Sequence, residues 1–352
     1  MSKVLIKGNE AVAEAAIRSG CRHYFGYPIT PQTEIAEYMA KKMPKVGGLC
    51  LQAESEVAAI NMVYGAASAG SRVMTSSSSP GISLKSEGVS YIVGCDLPCV
   101  ILNVQRGGPG LGGIQPAQSD YFQATKALGH GDMQLFVLAP SSVQEMAQLT
   151  ADAFTISDKY RMPVLLLADG ALGQMMEPVD FDALSVTEAP EKPWATNGHK
   201  GERKKNIITS LFLKPEELEE NILTRAEKYA LVNKNEVRYE EYLCDDADII
   251  IVSFGIAARI SKAAVNEARK MNIKAGLLRP ITLSPFPKDK LYALSENAKA
   301  FLSVELNMGQ MVDDVKLAVQ CRRPVHFFGR TGGSLPTESD VLNRIIKIAK
   351  GE

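Results

Sequence analysis

The sequence predicts an α/β protein of two doubly wound parallel-sheet domains, and three observations carry that expectation. The runs HYFGY (23–27), PCVILNV (98–104), QLFVLA (134–139) and PVLLLA (163–168) are strand-length, nearly all apolar and bounded by turn residues. Strands buried on both faces read this way. Helical patterns alternate with these runs, as in successive βαβ units. The texture changes between about 177 and 245 and the alternation then resumes. That divides the chain into a first domain (1–180), a linker with a charged helix (181–244) and a second domain (245–352).

Composition bounds the function classes. At 352 residues with 45% apolar and 22% charged side chains, the chain has the make-up of an ordinary soluble protein with real cores. A net charge of −1 gives no electrostatic case for nucleic acid or for an acidic membrane surface. No apolar run approaches the ~20 residues needed to span a bilayer. The start, MSKVLIKGNE, has no signal-peptide core, so a cytoplasmic location is expected. Cys21, Cys50, Cys95, Cys99, Cys244 and Cys321 show no paired CxxC spacing. Scattered reduced thiols are therefore expected, with no metal or iron–sulfur site in this chain.

Taken in order, Asn9 is positioned to cap a helix over Glu10–Arg18 that Gly20 closes. The strand at 23–27 ends in YPITP, where Pro28 and Pro31 stiffen the backbone around Thr30. A helix over about 33–43 and a strand near 48–52 follow. Next comes LQAESEVAAINMVYGAASAG (51–70), an almost wholly apolar helix opened by Glu54 and Glu56. A strand at 72–76, a loop SSSPG and a helix over about 82–93 lead to the strand at 98–104. The strands at 134–139 and 163–168 flank a helix that Ser141 or Ser142 caps. Residues 186–206 are polar and aperiodic, an excursion over the surface, and 215–242 read as one charged, solvated helix. Strands at 247–255, 273–278, 300–306 and 325–329, with a helix over 257–271, form the second domain.

The unusual residues fall at successive strand–helix junctions. YPITP, Glu56, Ser76–Gly81 and Arg106 with its glycines each follow a strand, on the rim where open parallel sheets bind ligands. An acid in the first turn of a helix is ordinarily helix-end electrostatics; this company makes a site for a polar small molecule. The segment RGGPGLGG matches GxGxxG in form. Pro116 opposes a helix start, however, and no acid-ended strand follows at the dinucleotide spacing, so a lid beside Arg106 fits better. Arg106 is either a structural arginine paired with an acid or a fork for a substrate carboxylate. Gln118 and Asp120 either line the lid or are surface polar residues. The four histidines do not cluster.

These segments resemble the alpha-type, pyrimidine-binding subunits of the 2-oxoacid:ferredoxin oxidoreductases. GNEAVAEAAIRSGCRHYFGYPITP, ESEVAAINMVYGAASAG, TSSSSPGISLKSEG and NVQRGGPG carry the likeness in the first domain. LRPITLSPFP, ELNMGQM and GRTGGSLPT carry it in the second. The resemblance implies a thiamine diphosphate pyrimidine-binding domain followed by a transketolase C-terminal-like domain. It makes Glu56 the acid that hydrogen-bonds the aminopyrimidine ring nitrogen and so helps the thiazolium carbon lose its proton. Thr30 and Arg106 match the family's substrate contacts, and Ile29 and Thr30 lie beside the cofactor. The reaction implied is oxidative decarboxylation of a 2-oxoacid with coenzyme A to acyl-CoA, CO2 and reduced ferredoxin.

The diphosphate and its magnesium need a GDG segment followed by asparagine, and HGD (130–132) and ADG (168–170) lack that sequel. The family carries this motif and the iron–sulfur clusters on partner subunits. The expected partners are a beta-type, a gamma-type and a ferredoxin-like subunit, with self-association of the chain. The layout, without a fused coenzyme A-binding or ferredoxin-like domain, is most like the branched-chain, 2-oxoisovalerate type. 2-Oxoglutarate or pyruvate enzymes, a dehydrogenase beta-type thiamine subunit and a non-catalytic assembly subunit are the alternatives. QSD at 118–120 stands where relatives often have QGD, which leaves the lid's structure open.

Overall fold

The computed structural model describes residues 3–352. In chain order, β1 (Val4–Lys7) leads into α1 (Gly8–Arg18), β2 (His23–Gly26) into α2 (Thr33–Lys42), and β3 (Leu49–Gln52) into α3 (Glu56–Ser68). Then come β4 (Val73–Ser77), α4 (Ser79–Gly94), β5 (Cys99–Gln105), β6 (Phe136–Leu138) and α5 (Val143–Tyr160). β7 (Pro163–Asp169), α6 (Gly170–Gln174) and β8 (Met176–Val179) end the first half. After the excursion follow α7 (Pro215–Asn235), β9 (Tyr239–Tyr242), β10 (Ile249–Val252), α8 (Gly255–Lys270), β11 (Ala275–Pro280) and β12 (Thr282–Ser284). The last elements are α9 (Lys288–Leu294), β13 (Ala300–Glu305), α10 (Met311–Ala318), β14 (Val325–Gly329) and α11 (Glu338–Ala349).

Seven strands in the order β12-β6-β7-β5-β4-β2-β3 form the first sheet, parallel except for β12. Five in the order β14-β13-β10-β11-β9 form the second, parallel except for β9. Both are covered on two faces, as their unbroken apolar runs require. On β5, Val100, Leu102 and Val104 join a core with Val12, Met146 and Phe154 of α1 and α5. Ile101 of the same strand joins the opposite core with Ile60, Ile82 and Val89 of α3 and α4. That second core runs on into Val252, Phe254, Phe301 and Met311, so one apolar body joins the two sheets.

Local readings differ from the structure at four points. Asn9 does not cap α1, whose N-cap is Lys7. Its amide instead donates to Pro31 O and to Glu34 Oε2, each at 2.8 Å, tying α1 to the YPITP turn. α4 begins at Ser79, within the SSSPG segment, because Pro80 falls in a first turn that lacks N–H partners anyway. α7 ends at Asn235, and YEEY becomes β9, paired antiparallel with β11. The LRPITLSPFP segment contributes β12, which pairs with β6. Strand pairing thus crosses the chain position at 245 in both directions.

The excursion is strapped down. Buried Arg72 donates to Asp158 Oδ2 at 2.7 Å and Thr187 O at 2.7 Å, and Arg161 stacks on Trp194 at 4.5 Å. Among the described residues, no helix is long and apolar enough to cross a membrane.

Candidate active site

β5, β4, β2 and β3 are neighbours in the first sheet, so the loops leaving their carboxyl ends share one rim. Ser55 caps α3, accepting from Ala58 N at 3.1 Å, and this puts Glu56 at the first helical position, where it is buried. Glu54, two residues earlier, is exposed. The first turn of α4 presses against Glu56. A Cβ on Gly81 would lie 2.6 Å from Glu56 Oε1 and 2.1 Å from Ser77 Oγ, an approach that only glycine permits. The buried hydroxyls of Ser77 and Ser78 have no partner among the described residues.

Ser79 ties this turn to β5. Its hydroxyl donates to Asp120 Oδ2 at 2.5 Å and accepts from Arg106 N at 3.1 Å. Its own N–H donates to Asn103 Oδ1 at 3.1 Å, and Asn103 Nδ2 donates to Asp120 Oδ2 at 2.8 Å. Burial makes the Asp120 carboxyl hold its proton more tightly than usual, and the bonds from Ser79 and Asn103 oppose that.

Arg106 is buried. Nη1 donates to Thr30 O at 2.9 Å and Nη2 to Leu111 O at 3.3 Å, while Nε is buried with no partner. An ion pair with an acid is not formed among the described residues. A buried cation without an anion carries a desolvation cost of several kcal/mol, which an incoming carboxylate would offset. Thr30 is exposed on the rim beside it, and Ile29 is half-buried. The turn beneath them is rigid: Pro31 O accepts from Asn9 and from Gln174 Nε2 at 3.3 Å. Ser76 Oγ donates to Gln32 Oε1 at 2.5 Å. Thr30, Glu56, Gly81 and Arg106, drawn from four junctions, therefore stand in one connected rim.

The loop after Arg106 is closed at its neck by Gly107 N donating to Gln115 O at 3.0 Å and Gly113 N donating to Gly107 O at 2.9 Å. No helix starts directly after the glycines; the next helical turn, Gln123–Ala127, comes only beyond Pro116. Its tip carries the exposed Leu111 and Ile114. Gln118 at its trailing end is neither lid lining nor surface. It is buried against the second sheet, donating to Phe254 O at 2.8 Å and accepting from Leu306 N at 3.1 Å. Asn307 Nδ2 donates to Gln118 O at 2.8 Å. Glu305, in ELNMGQM, receives Met311 N at 2.7 Å and Val312 N at 2.9 Å, fixing the start of α10. A Cβ on Gly333, in GRTGGS, would lie 2.2 Å from Gln115 Cβ. Two of the three second-domain motifs, ELNMGQM and GRTGGSLPT, thus hold the lid.

Sequence reasoning placed Ser79 only within the Ser76–Gly81 rim stretch, read Gln118 as lid lining or surface, and missed Asn103 and Lys85, a fully buried lysine on α4. The serine run before Pro80 was the available signal for the first; a polar residue in a helix pattern gives none for the last. Asp169, in the ADG segment, caps α6, accepting from Ala171 N and Leu172 N at 3.0 Å each. Burial pushes its pKa up to about 6, against the pull of those N–H groups. No group of three or more His, Cys, Asp and Glu stands together as a metal site among the described residues. The buried carboxylate, the unpartnered Ser77 and Ser78 hydroxyls and the Gly81 cradle fit the polar edge of a heterocycle.

The family of pyruvate flavodoxin/ferredoxin oxidoreductases, thiamine diphosphate-binding, matches residues 14–242. Pyruvate:ferredoxin oxidoreductase core domain II matches 247–341. The ketoisovalerate oxidoreductase subunit VorB of Methanothermobacter marburgensis is 52% identical over 349 residues, 99% of each chain. The 2-oxoglutarate synthase subunit KorA of Methanothermobacter thermautotrophicus is 35% identical, over 97% of this chain and 98% of that one. A solved 2-oxoglutarate:ferredoxin oxidoreductase from Magnetococcus marinus, with 2-oxoglutarate, coenzyme A and succinyl-CoA bound, superposes with a TM-score of 0.87 at 27% identity. The alignment covers 98% of this chain but 65% of that one, so this chain spans about two thirds of its length.

Proposed function

The chain belongs to the 2-oxoacid:ferredoxin oxidoreductase family as an alpha-type subunit; from that premise we propose that it is the pyrimidine-binding half of a thiamine diphosphate-dependent 2-oxoisovalerate oxidoreductase. The net reaction is 2-oxoacid plus coenzyme A plus two oxidised ferredoxins to acyl-CoA, CO2, a proton and two singly reduced ferredoxins. The observation that carries the reading is the buried Arg106 with an unspent Nε donor, on the same rim as buried Glu56. A substrate carboxylate meets the first, and a ring nitrogen meets the second.

Thiamine diphosphate, when bound, supplies the carbon nucleophile and the electron sink for decarboxylation. Glu56 hydrogen-bonds its aminopyrimidine and governs where the ring proton resides. Ile29 and Thr30 flank the ring, and Thr30 with Arg106 orients the 2-oxoacid. The lid, held by the second domain, excludes water. The magnesium, the diphosphate end and the iron–sulfur clusters are assigned to beta-type, gamma-type and ferredoxin-like partners in the cytoplasm. The naming of the similar proteins as subunits supports that division. The domain division 1–180, 181–244 and 245–352 belongs to the same proposal; the matched ranges 14–242 and 247–341 are compatible with a joint near 245.

The branched-chain preference is supported by the higher identity to a ketoisovalerate subunit, 52% against 35% for the 2-oxoglutarate one. The test is the complex reconstituted from its native subunits, assayed on a panel of 2-oxoacids with coenzyme A and a viologen acceptor. 2-Oxoisovalerate should give the highest kcat/KM. A preference of roughly tenfold for 2-oxoglutarate, about 1.4 kcal/mol in transition-state binding, would overturn the choice.

A further inference from the structure

Lys85 has no contact with water. A buried ammonium either finds a counter-charge or gives up its proton. Its surroundings indicate the first. α4 packs on α3 through Gly81 and Gly88: a Cβ on Gly81 would meet Glu56, and one on Gly88 would lie 2.5 Å from Ile60. Lys85 lies one turn after Gly81 and three residues before Gly88, so it shares their face of α4. Glu56 and Ile60 are likewise one turn apart on α3. The lysine is thus held in the seam whose outer end is the Glu56 carboxylate. Its Nζ donates to Thr75 Oγ1 on β4 at 3.2 Å, and its other two donors have no partner among the described residues.

Few other charges reach this seam. On α4, Glu87 is exposed; on α3, Glu54 ahead of the cap is exposed and Tyr64 lies two turns further on. β4 offers only the hydroxyls of Thr75, Ser76 and Ser77. β2 and β5, to either side, bring Tyr24, whose pKa burial raises, and Cys99, pushed up to about 12. Across the rim, burial helps Asp120 retain its proton, and Arg106 is engaged with Thr30 and Leu111.

We propose that Lys85 is a positioning residue for the reaction: its ammonium is the buried counter-charge that keeps Glu56 ionised and aimed across the α3–α4 seam. Burial pulls the lysine's pKa down to about 8 while the field of Glu56 opposes it, so the ammonium persists at neutral pH. A Glu56 carboxylate kept ionised leaves the shared proton on its hydrogen-bond partner, which is the arrangement the proposed chemistry needs. The inference rests on the assignment of Glu56 made above.

The test is a mutant cycle of Lys85→Met, Glu56→Gln and the double variant, with Lys85→Arg as the charge-conserving control. In the full chain without thiamine, Lys85→Met should lower the denaturant midpoint, and adding Glu56→Gln should recover part of that loss, since glutamine needs no counter-charge. In the assembled complex, Lys85→Met should move the acid limb of kcat/KM up by about one pH unit, a roughly tenfold loss on that limb. Lys85→Arg should hold the limb in place. Additive midpoint losses together with an unmoved acid limb would overturn the proposal. If Lys85→Met does not fold, a folded double variant supports the pair, and a double variant that also fails overturns it. The midpoint arm of the cycle is read without cofactor, so it can fail while the role of Glu56, tested by proton exchange, stands.

Discussion

A carboxylate in the first turn of a helix is ordinary; Glu56 differs in being buried under the glycine turn of α4 while Glu54 stays in water. Glu56→Gln keeps the shape and removes the basicity. In the assembled complex it should slow exchange of the thiazolium-carbon proton by roughly 10²- to 10⁴-fold, and Glu54→Gln should leave it nearly unchanged. Equal losses at both positions, followed by NMR, would remove Glu56 from the role. For Arg106, lysine cannot reproduce a planar fork that already spends two arms on Thr30 O and Leu111 O. Arg106→Lys should therefore fail to restore oxoacid turnover with thiamine affinity little changed, and near-normal turnover in Arg106→Met would exclude carboxylate binding. These residues were legible because each follows a strand, Arg106 directly after β5 and Glu56 at the start of α3 beyond β3. Lys85 was not, because in SLKSEG a lysine reads as the solvated side of a helix, and only packing decides whether its stem turns inward.

At the scale of elements, the strands were the most legible, since a β-strand buried on both faces has no polar alternation to confuse it. Helix ends were less so. Asn9 had the side chain of a cap but was needed to hold Pro31, and Pro80 looked like a loop breaker but sits where a first turn tolerates it. YEEY joined the charged helix on composition, although pairing with β11 made it a strand. The lid's trailing hinge was hidden because its partners are backbone groups some 140 to 190 positions away. Gln118 satisfies Phe254 O and Leu306 N at once. Gln118→Leu keeps the bulk and leaves buried Leu306 N without its partner, at about 1–3 kcal/mol, while Phe254 O keeps Ala258 N alone. The variant should unfold at lower denaturant, and limited proteolysis should cut faster between Gly107 and Gln115. Unchanged cleavage in a destabilised variant would mean that Gln118 stabilises the fold without restraining the lid.

At the scale of the whole molecule, the proposed division between subunits makes the rim only part of a binding site. Tyr27, Leu51, Val57, Leu84, Leu111 and Ile114 are exposed apolar side chains on the segments that form it, and β3 is the edge strand of its sheet. An edge carrying apolar residues on one side is a surface that another chain covers. Thiamine diphosphate carries most of its charge on the diphosphate, which is ordinarily held through magnesium and oxygen ligands. On the proposed reading the residues around Glu56 address the other, pyrimidine end, where one carboxylate and an apolar bed would supply modest binding energy. The isolated chain should accordingly bind thiamine diphosphate weakly, turn over no 2-oxoacid, and self-associate through the rim face. Calorimetry on the purified chain, with and without magnesium, reads the first point, and sedimentation at several concentrations reads the last. Addition of the beta-type partner should raise affinity by orders of magnitude and make it magnesium-dependent, because the partner supplies the electrostatic part of the binding free energy. Micromolar, magnesium-dependent binding to this chain alone would show that it holds a complete cofactor site, and the division of the active site between subunits would have to be abandoned.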